Sequence, residues 1–213
     1  MKPAARQALI LTAVGAVAFL AFFLLDLLSD RAPGPALTRN QLTLLVALSL
    51  LTVYAILALH ELGHLAASWI VGLRFQSLTV GPFTLSRTHA ELRLRWNPNL
   101  RLFRGVLRFE AAADEPPTRR LAFVLAAGPL ASILAGLAAA LLALSGRAPP
   151  LDAASAASSL MAHRLLALLA SGSMAVGLAN LIPLRFAGGS SDGARLWQLY
   201  RESRSASRAR AAN

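Results

Sequence analysis

Three titratable side chains, His60, Glu61 and His64, stand inside the otherwise apolar stretch ALHELGHLAASW, residues 58–69. On a helix the two histidines lie about 40° apart and one turn removed, so both imidazoles reach one metal ion. Glu61, beside the first, points at water held by that ion. This is the ligand-and-base pattern of metal-assisted hydrolysis. The alternative is a set of ordinary interhelical hydrogen-bonding residues. Depth weighs against it, because an ionisable group near the centre of a bilayer costs roughly 2.5 to 3.5 kcal/mol. The chain has no cysteine, so thiolate ligands and disulfides are excluded and any metal is held by His, carboxylate or carbonyl groups.

The elements that must present these residues are membrane spans. Of the 213 residues 56% are hydrophobic and 15% charged, and the mean hydropathy is +0.56, too apolar for an ordinary soluble domain. A spanning helix needs roughly 20 mostly apolar residues. Four segments qualify: about 8–28, 41–70, 121–144 and 160–184. The first follows Lys2 and Arg6 as a signal peptide would, but its apolar run is long and no small-x-small cleavage site follows, which predicts a retained anchor. The expected fold is an α-helical polytopic membrane protein of about four transmembrane helices in one domain over 1–200. After the second span apolar residues alternate at Leu78/Val80, Phe83/Leu85 and Leu92/Leu94/Trp96, a strand pattern. With turns at Gly81-Pro82 and Asn97-Pro98-Asn99, this predicts a small β meander or pair of hairpins over 74–110 at the cytoplasmic surface. Residues 111–120 read as a linker. The third span is rich in Ala and Gly, which predicts an interior helix in close contact with its neighbours. Beyond the fourth, Pro183 and Gly188-Gly189 interrupt the helix, ARLWQLYRES resumes it as a short amphipathic segment, and 201–213 read as a disordered basic tail.

Charge sets the orientation. The formal charge is +11, with Lys and Arg concentrated before the first span, between 74 and 120, and from 185 onward. Positive charge marks the cytoplasmic side, so both termini and the 74–110 region are expected inside. The basic residues face anionic headgroups of the lipid bilayer, and nothing in the pattern requires nucleic acid. Lys2 is the only lysine, and Arg and Ala abound, a composition that suggests a bacterial inner membrane. A catalytic zinc takes three protein ligands and leaves one position for water. The third must come from His89, His163, Asp26, Asp30, Glu91, Glu110, Asp114, Glu115, Asp152, Asp192 or Glu202. Sidedness removes Asp26, Asp30, Asp152 and His163. Asp192 follows the last span at a depth matching His60 and His64, although SSDG before ARLWQLY also suits an aspartate helix cap. Glu91 and His89, in the strand-like segment, remain the competitors.

The His60-Glu61-Leu62-Gly63-His64 motif, the AAGP of residues 126–129 and the Asn180 to Pro183 and Ser191-Asp192-Gly193 segments together resemble the site-2 protease family of intramembrane zinc metalloproteases, over about residues 45–200. Arg185 stands where the family has a second Pro, four extra residues precede the Asp, Ser191 replaces Leu, and Ser132 stands where many members have Asn. The resemblance implies a minimal, bacterial-type core. It implies one Zn²⁺ on His60, His64 and Asp192 that activates water, with Glu61 as the base that passes a proton to the leaving amine. Asn180, Pro183, Gly128 and Pro129 are the implied substrate contacts, and the implied partner is a membrane-embedded protein or peptide. A substrate helix must unwind before attack and then needs backbone partners. An edge of the 74–87 region is expected either to supply them by strand addition or simply to cap the cytoplasmic mouth. The rival reading is a non-proteolytic zinc-binding membrane protein of immunity or accessory type. Its weakness is Glu61, which a purely structural site does not need.

Overall fold

The computed structural model describes residues 37–88, 91–96, 105–110, 118–145, 153–186 and 189–211. The span expected over 8–28 and the Asn97-Pro98-Asn99 turn lie outside the described residues. Within them are four helices, α1 (Arg39–Ile70), α2 (Thr118–Ser145), α3 (Ala153–Leu181) and α4 (Asp192–Ala211), and six strands, β1 (Arg74–Val80), β2 (Phe83–Thr88), β3 (Glu91–Trp96), β4 (Gly105–Glu110), β5 (Arg185–Phe186) and β6 (Gly189–Ser190). Three helices, Arg39–Ile70, Arg119–Ser145 and Ala156–Leu181, are long and apolar enough to cross a membrane.

Local chemistry explains where α1 begins and ends. Thr38 Oγ1 accepts from the Gln41 N–H at 3.3 Å, and Gln41 Oε1 accepts from the Thr38 N–H at 2.9 Å, a reciprocal capping box. At the other end Gly72 takes φ +77°. The Gly72 N–H bonds the Trp69 carbonyl at 3.1 Å and the Leu73 N–H bonds that of Ser68 at 2.8 Å, the Schellman arrangement that a glycine permits. The 32 residues of α1 are about 48 Å long, more than the ~30 Å hydrocarbon thickness, so the turn carrying His60 and His64 falls toward the end nearer the sheet.

That sheet is antiparallel in the order β3-β2-β1-β4. The expected meander is β1-β2-β3, turned at Gly81, whose φ of +55° suits the first position of a two-residue hairpin. The fourth strand joins the other side of β1, with Leu78 opposite Leu107 and a bulge between Phe75 and Ser77. This changes the expectation for strand addition. Ser77–Val80 are paired on both sides and β2 lies between β1 and β3, so the edges of the sheet are β3 and β4. The reason is register: Leu107 and Phe109 continue on β4 the apolar alternation of β1.

The described chain forms two compact units. In the first, which includes Ile133–Ala175, small residues such as Ala139, Ala143, Ala167 and Ala170 are buried together with Leu45, Ile56 and Met161, and Gly136 lies so close to α3 that a Cβ there would meet Met174 Cγ at 2.5 Å and the Ala170 carbonyl at 2.8 Å. In the second, Leu57–Ser132 with Val176–Asn213, Ala67, Leu73 and Val124 form a buried cluster. A Cβ on Gly63 would stand 2.5 Å from Ala131 Cβ and 2.7 Å from the Ala127 carbonyl. Here α1 and α2 touch through small residues, the packing open to helices that gain nothing from hydrophobic burial within lipid. The expected close packing of α2 is present on this face. Its other side, with Leu130, Leu134, Leu137 and Leu141, is exposed, as a lipid-facing surface requires. Finally, the segment expected to be a disordered tail from 201 is helical as far as Ala211. Gln198 bonds Glu202 at 2.9 Å and Arg204 bonds Tyr200 at 3.3 Å, and such i,i+4 pairs stabilise an exposed helix rich in Ala and Arg.

Candidate metal centre

His60 and His64 are buried on the last turns of α1, with rings 4.9 Å apart and nearly perpendicular. Asp192, the first residue of α4, reaches both: its Oδ2 lies 3.2 Å from Nε2 of His60 and 3.2 Å from Nε2 of His64. Side-chain exposure is 7% for His60, 8% for His64 and 13% for Asp192. The three donor atoms lie within 4.8 Å of one another, so these residues could hold a metal ion. Of the competitors for the third position, His89 lies outside the described residues. Glu91 is on edge strand β3, exposed and engaged with Arg93 at 3.0 Å.

The second nitrogen of each imidazole shows how the rings are held. His64 Nδ1 lies 2.7 Å from the Val124 carbonyl. A carbonyl only accepts, so Nδ1 carries the proton, and in a neutral ring Nε2 then presents its lone pair to Asp192. Two acceptors facing one another at 3.2 Å need a proton or a cation between them. The spacing suits a metal, because a tetrahedral ion with bonds of about 2.0–2.1 Å places its donors about 3.3–3.4 Å apart. His60 Nδ1 is 3.0 Å from Ser132 Oγ, and Ser132 is fully buried. Ser132 thus orients His60 as the Val124 carbonyl orients His64. Neither role was visible in the sequence, where Ser132 registers only as a departure from the family's Asn. Its signal was the four-residue step from Gly128 to Ser132 in AAGPLAS, which sets both on one helix face.

Asp192 arrives by an indirect path. The residues that separate it from Pro183 form the β5–β6 hairpin, with Arg185 opposite Ser190 and Phe186 opposite Gly189. The hairpin returns the chain upon itself, so the Ser191 N–H bonds the Leu184 carbonyl at 2.9 Å. Ser191 Oγ then accepts from the N–H of Leu184 at 2.9 Å and of Ala194 at 3.2 Å, and donates to the Ile182 carbonyl at 2.6 Å. Ser191 is therefore the cap of α4, the role that SSDG also offered to Asp192, and the Asp192 carboxylate faces the imidazoles instead. Gly193 is required next, because a Cβ there would collide with the Leu181 carbonyl. Burial opposes charge on Asp192, but its contacts with the His60 and His64 imidazoles outweigh it and lower its carboxyl to about 2.

Glu61 is buried at 6% exposure and interacts electrostatically with His64, His60, Asp192 and Arg195. Of the residues named as substrate contacts, Asn180 donates from Nδ2 to the Val176 carbonyl at 3.0 Å and Pro183 is exposed. Gly128 lies directly against the His64 imidazole, in space that a Cβ would fill, and Pro129 is fully buried in α2. A pair of imidazoles and a carboxylate at metal-ligand spacing, with a buried glutamate beside them, is a centre for hydrolytic chemistry.

No curated protein and no solved structure matches the chain. A family model, peptidase family M50, matches residues 48–213, a stretch that contains the HELGH motif, the AAGP segment and Asp192. The protein belongs to peptidase family M50, the site-2 protease family of metallopeptidases.

Proposed function

We propose that this chain is a zinc-dependent intramembrane endopeptidase that hydrolyses peptide bonds of membrane-embedded protein substrates. The observation that carries the reading is the convergence of His60, His64 and Asp192 within 4.8 Å at the end of a helix long enough to span a bilayer, with Glu61 buried beside them. Borderline-soft Zn²⁺ suits two imidazoles and one carboxylate with one position left open. When bound, such an ion supplies Lewis acidity toward a carbonyl and activates water near neutral pH.

The protein's own groups do the rest. His60 and His64 present Nε2, held by Ser132 and the Val124 carbonyl, so little reorganisation precedes reaction. Glu61 receives the proton of the attacking water and returns it to the departing amine, a carboxylate role that needs no further partner. Asn180, in the last turn of α3, and Pro183, just beyond it, are the residues we assign to the substrate's extended backbone.

The test compares two variants of the purified full-length protein. Glu61→Gln should retain zinc, measured by elemental analysis, while cleavage of a membrane-embedded reporter falls by about 10²- to 10⁴-fold, the usual contribution of a general base. His60→Ala should lose both metal and cleavage. Zinc bound by wild type with no cleavage in either protein would favour the non-proteolytic reading instead.

A further inference from the structure

Helix α4 carries a feature that hydrolysis does not use. At about 100° per residue, Trp197, Tyr200, Arg201, Arg204 and Arg208 fall within an arc of about 100°, and all five are exposed, Trp197 at 56% and Tyr200 at 50%. The two aromatic rings stack with centroids 5.7 Å apart. The Arg204 guanidinium lies over Tyr200, 5.9 Å from its centroid. The acidic residues of this helix, Asp192 and Glu202, are off the arc: one is turned to the imidazoles and the other bonds Gln198. Among the described residues Arg201, Arg204 and Arg208 make no ion pair. Beside and behind this arc, Ala194 is buried and Leu196 and Leu199 are half-buried, whereas Arg195 and Glu202 are exposed.

We propose that this aromatic and arginine face of α4 binds the anionic phospholipid headgroups of the bilayer in which the protein sits. Position supports it, since α4 follows a spanning helix with only the β5–β6 hairpin between and therefore starts at the membrane surface. Chemistry supports it equally. Flat amphipathic rings favour the headgroup level, and arginines near an anionic surface are drawn to it, with guanidinium geometry suited to bidentate phosphate contacts. A merely solvated helix face accounts for the arginines but gives no reason for half-exposed Trp and Tyr among them. Because Asp192 opens the same helix, headgroup binding holds the element that carries the third metal donor.

The experiment uses the full chain with Trp69→Phe and Trp96→Phe, which leaves Trp197 as the reporter, reconstituted into vesicles of phosphatidylcholine alone or of phosphatidylcholine rich in phosphatidylglycerol. The expected result in the anionic vesicles is a blue shift of Trp197 emission and reduced quenching by aqueous acrylamide, both lost at high salt and both lost in the combined Arg201→Gln, Arg204→Gln, Arg208→Gln variant. Bound zinc and helical circular dichroism report whether that variant is folded. If it is not, the salt titration of the parent protein decides. Identical emission in the two lipids overturns the proposal. So does a shift that survives salt or the triple substitution, or one that follows protein density in the bilayer rather than lipid charge, which would indicate contact between copies. None of these readouts depends on proteolysis, so the proposal and the assigned activity fail separately.

Discussion

Ser132, behind His60, shows how a candidate metal centre would rest on residues that never touch an ion. The hydroxyl 3.0 Å from His60 Nδ1 sets the ring's orientation, and outer partners of this kind are worth about 10- to 100-fold in metal affinity. Ser132→Ala should therefore weaken zinc binding by that factor while leaving the helical content unchanged, as competition with a calibrated chelator would measure. Asp192 makes a second prediction, in the metal-free protein. Its carboxyl sits at about 2, below the ordinary 3.8, so the ionised form is favoured in the folded state. The sign follows: its contribution to stability is complete above the unfolded value and is lost as pH falls from about 3.8 through about 2. Thermal unfolding of the metal-free protein should show the difference between wild type and Asp192→Asn shrinking across that window. A constant difference would mean that the imidazole contacts do not stabilise the fold. At this scale the sequence was legible where chemistry is local. His60, Glu61 and His64 share one helical turn, so their spacing reveals them. Ser132 and the Val124 carbonyl meet the histidines across some 60 to 72 positions, and no local pattern encodes that meeting.

The β5–β6 hairpin and the cap that follows it explain how the family's aspartate keeps its place despite a longer approach. Ser191 satisfies three backbone groups at once, closing the hairpin and starting α4. Ser191→Ala should cost about 0.5–2 kcal/mol of stability, the usual range for a lost cap, and should also lower zinc affinity although it removes no ligand. Unfolding and metal titration on the same preparation check both, and unchanged affinity would show that the hairpin alone places Asp192. The three expected spans that fall within the described residues lie close to the observed helices, because twenty apolar residues have few alternatives to a helix in lipid. The sheet was legible as far as its alternation, and β1-β2-β3 followed from Gly81-Pro82. The pairing of β4 with the far side of β1 was not legible, since long-range register leaves no mark on either strand separately. The end of α4 was misread for a related reason: composition argued for a solvated basic tail, whereas pairs one turn apart sustain a helix.

Across the whole chain the surface sorts by polarity in a way that suits two environments. Leu42, Leu44, Val46, Leu50 and Leu51 of α1 and Leu130, Leu134, Leu137 and Leu141 of α2 are exposed, which is stable in lipid and untenable in water. The sheet is divided by register: Phe83 and Trp96 meet edge to face at 5.1 Å, in the row of Leu85 and Leu94, whereas Arg93, Arg95, Thr84 and Ser86 alternate to the other side. Membrane residence was legible from composition because it depends on totals, while the division into two compact units depends on which helix halves pack together. One feature of the metal centre also bears on how the molecule comes into being. His60 and His64 precede Asp192 by 132 and 128 positions, so a growing polypeptide carries its paired imidazoles long before the aspartate that joins them. Two donors hold zinc poorly. The three donors are therefore complete only once α4 has been synthesised.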